Sequence, residues 1–149
     1  MPFFFYMKSQ KSIPFEIVHL NEEGYHLRIA AKINEQEVSL ILDSGASQSA
    51  FDQEHLQNNI VDISIHKAEQ ISTGLGTNSM ESFEAVLKNF SIGDLSIDFY
   101  KAALVDLSHV NHTYHRLNLQ PIQGVLGNDI LMKYEALIDY KNKQLWLNC

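Results

Sequence analysis

The sequence predicts an all-β domain with one or two short helices, folded as a small closed β-structure. Three observations predict it. Short runs rich in β-branched and aromatic residues recur along the chain, separated by turn signals. Helical periodicity is confined to two short segments, both in the second half. The 149 residues are 45% hydrophobic and 19% charged, which is enough apolar material for one core and too little charge for a disordered chain.

The elements follow in order. Residues 13–20 are apolar and β-rich. Residues 25–33 alternate at their centre, with Leu27, Ile29 and Ala31 on one face. Asn34-Glu35-Gln36 reads as a turn, and residues 37–42 pair back as a hairpin. Residues 81–90 read as a strand with Phe83, Ala85 and Leu87 on one face. Ser91-Ile92-Gly93-Asp94 is a turn, and residues 95–105 form another strand. Leu107, Val110, Tyr114 and Leu117 fall at helical spacing, so residues 106–118 are a helix with Asp106 or Ser108 near its start. Asn128-Asp129 opens a second, short helix running to Tyr134. Residues 136–140 and 144–147 form a terminal hairpin around Lys141-Asn142-Lys143, so Trp146 and its neighbours Leu145 and Leu147 are core or terminal-strand residues.

Composition narrows the function. A net charge of −7 excludes the basic face that phosphate binding needs, so nucleic acid is not an expected partner. The one cysteine, Cys149, stands last and allows no internal disulfide, cysteine zinc site or CxxC pair. The start, Met1-Pro2-Phe3-Phe4-Phe5-Tyr6, is apolar but lacks the basic region and small-residue cleavage site of a signal peptide. No run approaches the roughly 18 apolar residues of a membrane span. We therefore expect a cytoplasmic protein without a membrane partner.

Three motifs carry chemistry. Leu40-Ile41-Leu42 runs into Asp43-Ser44-Gly45-Ala46, which delivers an acid at the end of a buried strand, on a turn tight enough to need glycine. Ser72-Thr73-Gly74-Leu75-Gly76-Thr77 is a glycine-rich tip between strands. Gln123-Gly124-Val125-Leu126-Gly127 places apolar residues between glycines ahead of the second helix. The Gly74–Gly76 pair is neither a dinucleotide fingerprint nor a phosphate loop, since the further glycine and the Gly-Lys-Ser/Thr sequence are missing. It is equally well read as a hairpin tip that needs positive φ. His109, His112 and His115 spread over one broad helical face without an acidic partner motif, so a solvated face is expected there rather than a metal. No Gly-x-Ser-x-Gly elbow supports a serine hydrolase.

In that order, these motifs resemble the retropepsin-like aspartic proteases, the single-lobe relatives of the retroviral enzymes. The resemblance runs from about Tyr25 to Leu147, as a domain over residues 25–149 preceded by an N-terminal arm or strand over residues 1–24. It implies that Asp43 is the catalytic carboxylate. It implies that Ser44, in place of the commoner threonine, bridges two active-site loops through its hydroxyl, that Gly45 allows close approach, and that Ala46 belongs to the support of the active-site loop. Val125, Leu126 and Gly127 would support the acid loop from beneath. Gly74, Leu75 and Gly76 would form a flap over an extended polypeptide substrate. No cofactor is implied. Asp129 has a plainer role, with its charge at a helix N-terminus.

The motif occurs once, and the chemistry needs two close carboxylates that share a proton. A two-fold homodimer, each chain giving one Asp43, would supply the second. The reading is an aspartic endopeptidase that uses an Asp-activated water. The alternative is a non-proteolytic peptide-binding or dimerisation module on the same fold. The arm is longer than the family minimum, and so is the segment between the glycine-rich tip and the final glycines.

Overall fold

The computed structural model describes residues 9–68 and 82–149. The glycine-rich tip with Gly74, Leu75 and Gly76 and the aromatic start of the chain lie outside these residues.

The strands form in chain order because most alternate between buried and exposed positions. β1 (Gln10–His19), β2 (Tyr25–Ile33) and β3 (Gln36–Leu42) make an antiparallel meander. Leu27, Ile29, Ala31 and Ile33 of β2 all face the core, as the alternation predicts. The β2–β3 turn is tight, with Asn34 and Glu35 both at positive φ. β1 serves two partners in succession. Its first half, Gln10 to Pro14, pairs with β12 (Gln144–Asn148), and its second half, Phe15 to His19, pairs with β2. The switch falls at Pro14, which has no N–H to give to a ladder.

After β3 come β4 (Ala50–Asp52), helix α1 (Gln53–Asn59), β5 (Ile65–Lys67) and β6 (Phe83–Leu87). Next are β7 (Phe90–Ile92), β8 (Leu95–Ser96) and β9 (Tyr100–Val105). Helix α2 (Ser108–Arg116), β10 (Gly124–Leu126), helix α3 (Asn128–Lys133) and β11 (Leu137–Asp139) complete the chain before β12.

Three expectations need correcting. The strand order runs β11-β12-β1-β2-β3-β10-β4-β9-β6-β5, so among the described residues the sheet has two ends and is not a closed barrel. Closure would require β5 to meet β11; each instead pairs on one side only, within its own hairpin. The two long strands expected over residues 81–90 and 95–105 are each broken. The β7–β8 hairpin swings away from β6 and β9 and pairs β7 with the end of β2, which buries Phe90 and Ile92 completely. Gly93 and Phe99, both at positive φ, make the turns. Among the described residues there are also three α-helices rather than one or two. α1 has only Leu56 buried, too little apolar pattern to show in sequence.

Asp52 explains why α1 starts where it does. Its Oδ2 accepts from His55 N at 3.2 Å as an N-cap, and its Oδ1 accepts from Leu107 N at 3.0 Å. One carboxylate thus ties α1 to the entry of α2. Asp52→Ala is expected to cost about 1–2 kcal/mol, read as a shift of the urea midpoint at constant slope. An unchanged midpoint would remove this role.

Two apolar clusters lie on opposite faces of the meander. The main core gathers Ile29, Ile33, Leu40, Leu42, Phe51, Phe90, Leu126, Leu145 and Leu147, while Trp146 on the other side of β12 is half-buried. The second cluster places Val18, Leu20 and Ile41 under Leu107, Tyr114 and Ile122, so that α2 covers the outer face. β3 is therefore buried on both sides, which is why Leu40-Ile41-Leu42 is a continuous apolar run. Arg28 fastens the approach to β10, donating from its guanidinium to Ser39 Oγ and to the carbonyls of Gln120 and Pro121.

Candidate active site

Asp43 stands one residue past β3. Its N–H donates to Leu126 O at 3.0 Å, continuing the parallel ladder in which Leu40, Ile41 and Leu42 face Gly124, Val125 and Leu126. β10 pairs on its other side with β4, Gly124 opposite Phe51 and Val125 opposite Ala50. The acid loop, residues 43–49, therefore leaves one neighbour of β10 and returns as the other.

Local hydrogen bonds set the loop's shape. Asp43 Oδ1 accepts from Gly45 N at 2.8 Å, and Ala46 N donates to Asp43 O at 3.2 Å. From below, Asn128 N donates to Ala46 O at 2.8 Å and Asn128 Nδ2 to Ser44 O at 2.7 Å. Leu126 and Gly127 are buried and Val125 is half-buried. A Cβ on Gly127 would stand 2.7 to 2.9 Å from backbone atoms of Gln48 and Ala46, so the loop rests directly on this glycine.

Asp43, Ser44 and Gly45 are exposed, and Ala46 is half-buried. The described residues of one chain place the acid rigidly but do not enclose it. The strand before it is buried, as the sequence predicts, but the acid one residue beyond is exposed. A surface groove of about 610 Å³ lies elsewhere, over Glu16, Arg28, Glu37 and Leu119, and shares no residue with the acid loop.

Beneath the loop Asp129, read in the sequence only as a helix-start charge, meets two residues that the sequence did not single out, Ser49 and Tyr100. Ser49 is completely buried. Its N and Oγ both donate to Asp129 Oδ1, at 2.9 and 2.7 Å, and its Oγ accepts from Gly127 N at 2.8 Å. The Tyr100 hydroxyl donates to Asp129 Oδ2. Asp129 also accepts from Ile130 N at 2.9 Å, so its place at the helix start is only part of its role. Burial alone would raise the Asp129 carboxyl. The hydrogen bonds from Tyr100, Ser49 and the amides of Ser49 and Ile130 outweigh it and hold the group below the usual carboxylate range. Burial, with Asp129 beside it, pushes the Tyr100 hydroxyl well up, so it remains a donor. The spacing of Asp129 after Gly127 was the only signal available in sequence.

His109, His112 and His115 are exposed on α2. Among the described residues no group of three His, Cys, Asp or Glu is placed to hold a metal ion, and no helix is long and apolar enough to cross a membrane.

A strand ending in Asp43, a loop seated on Leu126 and Gly127, and the start of a short helix behind it all lie inside one family match. The family model described as aspartyl protease matches residues 29–130, which contain every part of this loop and its support. The chain belongs to the aspartyl protease family. A crystal structure of a retropepsin-like aspartic protease from Rickettsia conorii is similar at 22% identity and a TM-score of 0.52, covering 96% of this chain and 95% of that one. The retroviral protease-like domain of Ddi1 from Leishmania major is similar at 17% identity and a TM-score of 0.49, covering 80% of this chain and 86% of that one. No curated protein matches the chain. The fold of this aspartyl protease family member is thus mostly β and retropepsin-like, with three short helices.

Proposed function

We propose that the protein is an aspartic endopeptidase whose active site is shared by two copies of the chain. The observation that carries this reading is the exposed Asp43 carboxylate on a rigid loop, present once per chain. Two such loops face to face across a two-fold axis would cover each other's acids and bring the carboxylates close enough to share one proton.

The ionised Asp43 of one chain takes a proton from water, and the oxygen attacks the scissile carbonyl carbon. The protonated Asp43 of the other chain gives its proton to the carbonyl oxygen, forming a tetrahedral diol. Collapse breaks the C–N bond, and a proton passes to the leaving nitrogen. One acid and one base again remain, so no metal or organic cofactor enters. The substrate is an extended polypeptide held by strand-like hydrogen bonds. The flap role of Gly74, Leu75 and Gly76 and the bridging role of the Ser44 hydroxyl belong to the same proposal.

The test is concentration dependence. Cleavage of a mixed peptide library between pH 4 and 7, blocked by a pepstatin-type transition-state mimic, is expected to gain specific activity as the chain self-associates in sedimentation. Cleavage by a species that sediments only as a monomer would overturn the shared site. Saturable peptide binding without cleavage would favour a binding module instead.

A further inference from the structure

We propose that Tyr100 is a positioning residue for the acid loop, acting through Asp129 and Ser49. The proposal rests on the reading of Asp43 as the catalytic acid. The loop has two ends. Asp43 holds the first through Leu126 O, and Ser49 holds the second. Ser49 donates to Asp129 from both its N and its Oγ, and Asp129 is held from the far side by Tyr100 of β9.

The amide of Gly127 can only donate, so Ser49 Oγ accepts it and keeps its own hydrogen for Asp129 Oδ1, 2.7 Å away, with the Tyr100 hydroxyl also against this serine. The Asp129 carboxylate then receives Ser49 Oγ–H, Ser49 N–H, Ile130 N–H and Tyr100 O–H. These come from the acid loop, its own helix and β9. The ionised form can accept all four, whereas a protonated one must give up a donor. Core packing aims the tyrosine: its ring lies 5.7 Å from Phe90 and 6.4 Å from Phe51 between centroids. Phe51 lies in β4, directly after the loop. Tyr100 therefore reads the core on one side and sets the loop on the other. Two carboxylates that share a proton tolerate little displacement, since an error of about 1 Å can cost roughly 10²-fold in rate.

The sign of the pH effect follows. Asp129 is held below its unfolded value, so its contribution is present above about pH 4 and is lost as pH falls through the folded value. Acid should therefore loosen the loop from beneath as well as titrate the reacting pair.

Tyr100→Phe keeps the ring on Phe51 and Phe90 and removes only the hydroxyl. The expected result is a kcat lower by roughly tenfold or more with KM within about twofold, and an acid limb of the kcat profile displaced to higher pH. Asp129→Asn can still accept from Ser49 and donate to the tyrosine oxygen, but it does not titrate. In that background Tyr100→Phe should no longer move the acid limb. Hydrogen exchange at the amides of Gly127 and Ser49 should quicken in Tyr100→Phe while that of Leu40 does not. Unchanged kcat together with unchanged exchange at Gly127 and Ser49 would overturn the proposal, as would an acid-limb shift that persists in Asp129→Asn. If the parent protein cleaves nothing, or Asp43→Asn cleaves equally well, the catalytic reading falls. The exchange at Gly127 and Ser49 then still decides whether Tyr100 holds the loop.

Discussion

Asp43→Asn is expected to abolish peptide cleavage and leave the fold nearly intact. The two side chains are almost isosteric, and the asparagine oxygen can still accept from Gly45 N, now 2.8 Å from Asp43 Oδ1. The carboxylate is exposed, so no buried charge pair is broken, and stability should stay within about 0.5 kcal/mol by urea denaturation. An amide can neither take a proton from water nor return one to the leaving nitrogen. The loss should be at least about 10³-fold in initial rate on a fluorogenic peptide. A shared site adds a second signature: mixed with the parent protein, the variant should depress activity beyond simple dilution, because each mixed dimer has one acid. Equal activity in the variant would rule out Asp43 as the catalytic group.

Gly127→Ala is expected to lose stability and activity together. The backbone of Gly127 is extended, with φ −111°, a conformation open to any residue. Glycine is needed here for space alone. The new Cβ would meet Gln48 C at 2.7 Å, Gln48 O at 2.8 Å and Ala46 O at 2.9 Å, all backbone atoms that no rotamer change can move. Relief requires shifting the acid loop against β10, at a cost of about 1–3 kcal/mol or more. The urea midpoint should fall by that amount. Cleavage should be largely lost even where the protein remains folded, since Asn128 N and Ala46 O, now 2.8 Å apart, are the joint that must open. A variant with parental stability and rate would show that the loop does not bear on this glycine.

The contrast between the two variants mirrors what could be read from residues in order. β2 is visible in the alternation of Leu27, Ile29, Ala31 and Ile33, because one of its faces meets the core. β3 is visible for another reason: Leu40, Ile41 and Leu42 are buried on both faces and read as one apolar run, which gains its meaning from the Asp-Ser-Gly after it and the later glycine motifs in order. α1 was not visible, because its seven residues bury only Leu56 and its start depends on Asp52. The break between β6 and β7 was hidden as well. It comes from the pairing of Phe90 with Ile33, two residues whose contact no local window contains.

The sequence by itself determined the family, the hairpin that ends in Asp43, and the fact that each chain brings one such acid. Those properties live in short windows, where apolar runs, tight-turn glycines and helix starts express local backbone preference. The exposure of Asp43 and the anchoring of its loop were decided only by tertiary structure. Ser49 meets Asp129 across 80 positions and Tyr100 meets it across 29, and a hydrogen bond between residues so far apart leaves no periodicity to read. The same holds for Gly127, whose lack of a side chain acquires its meaning only when the backbone of Gln48 is folded against it.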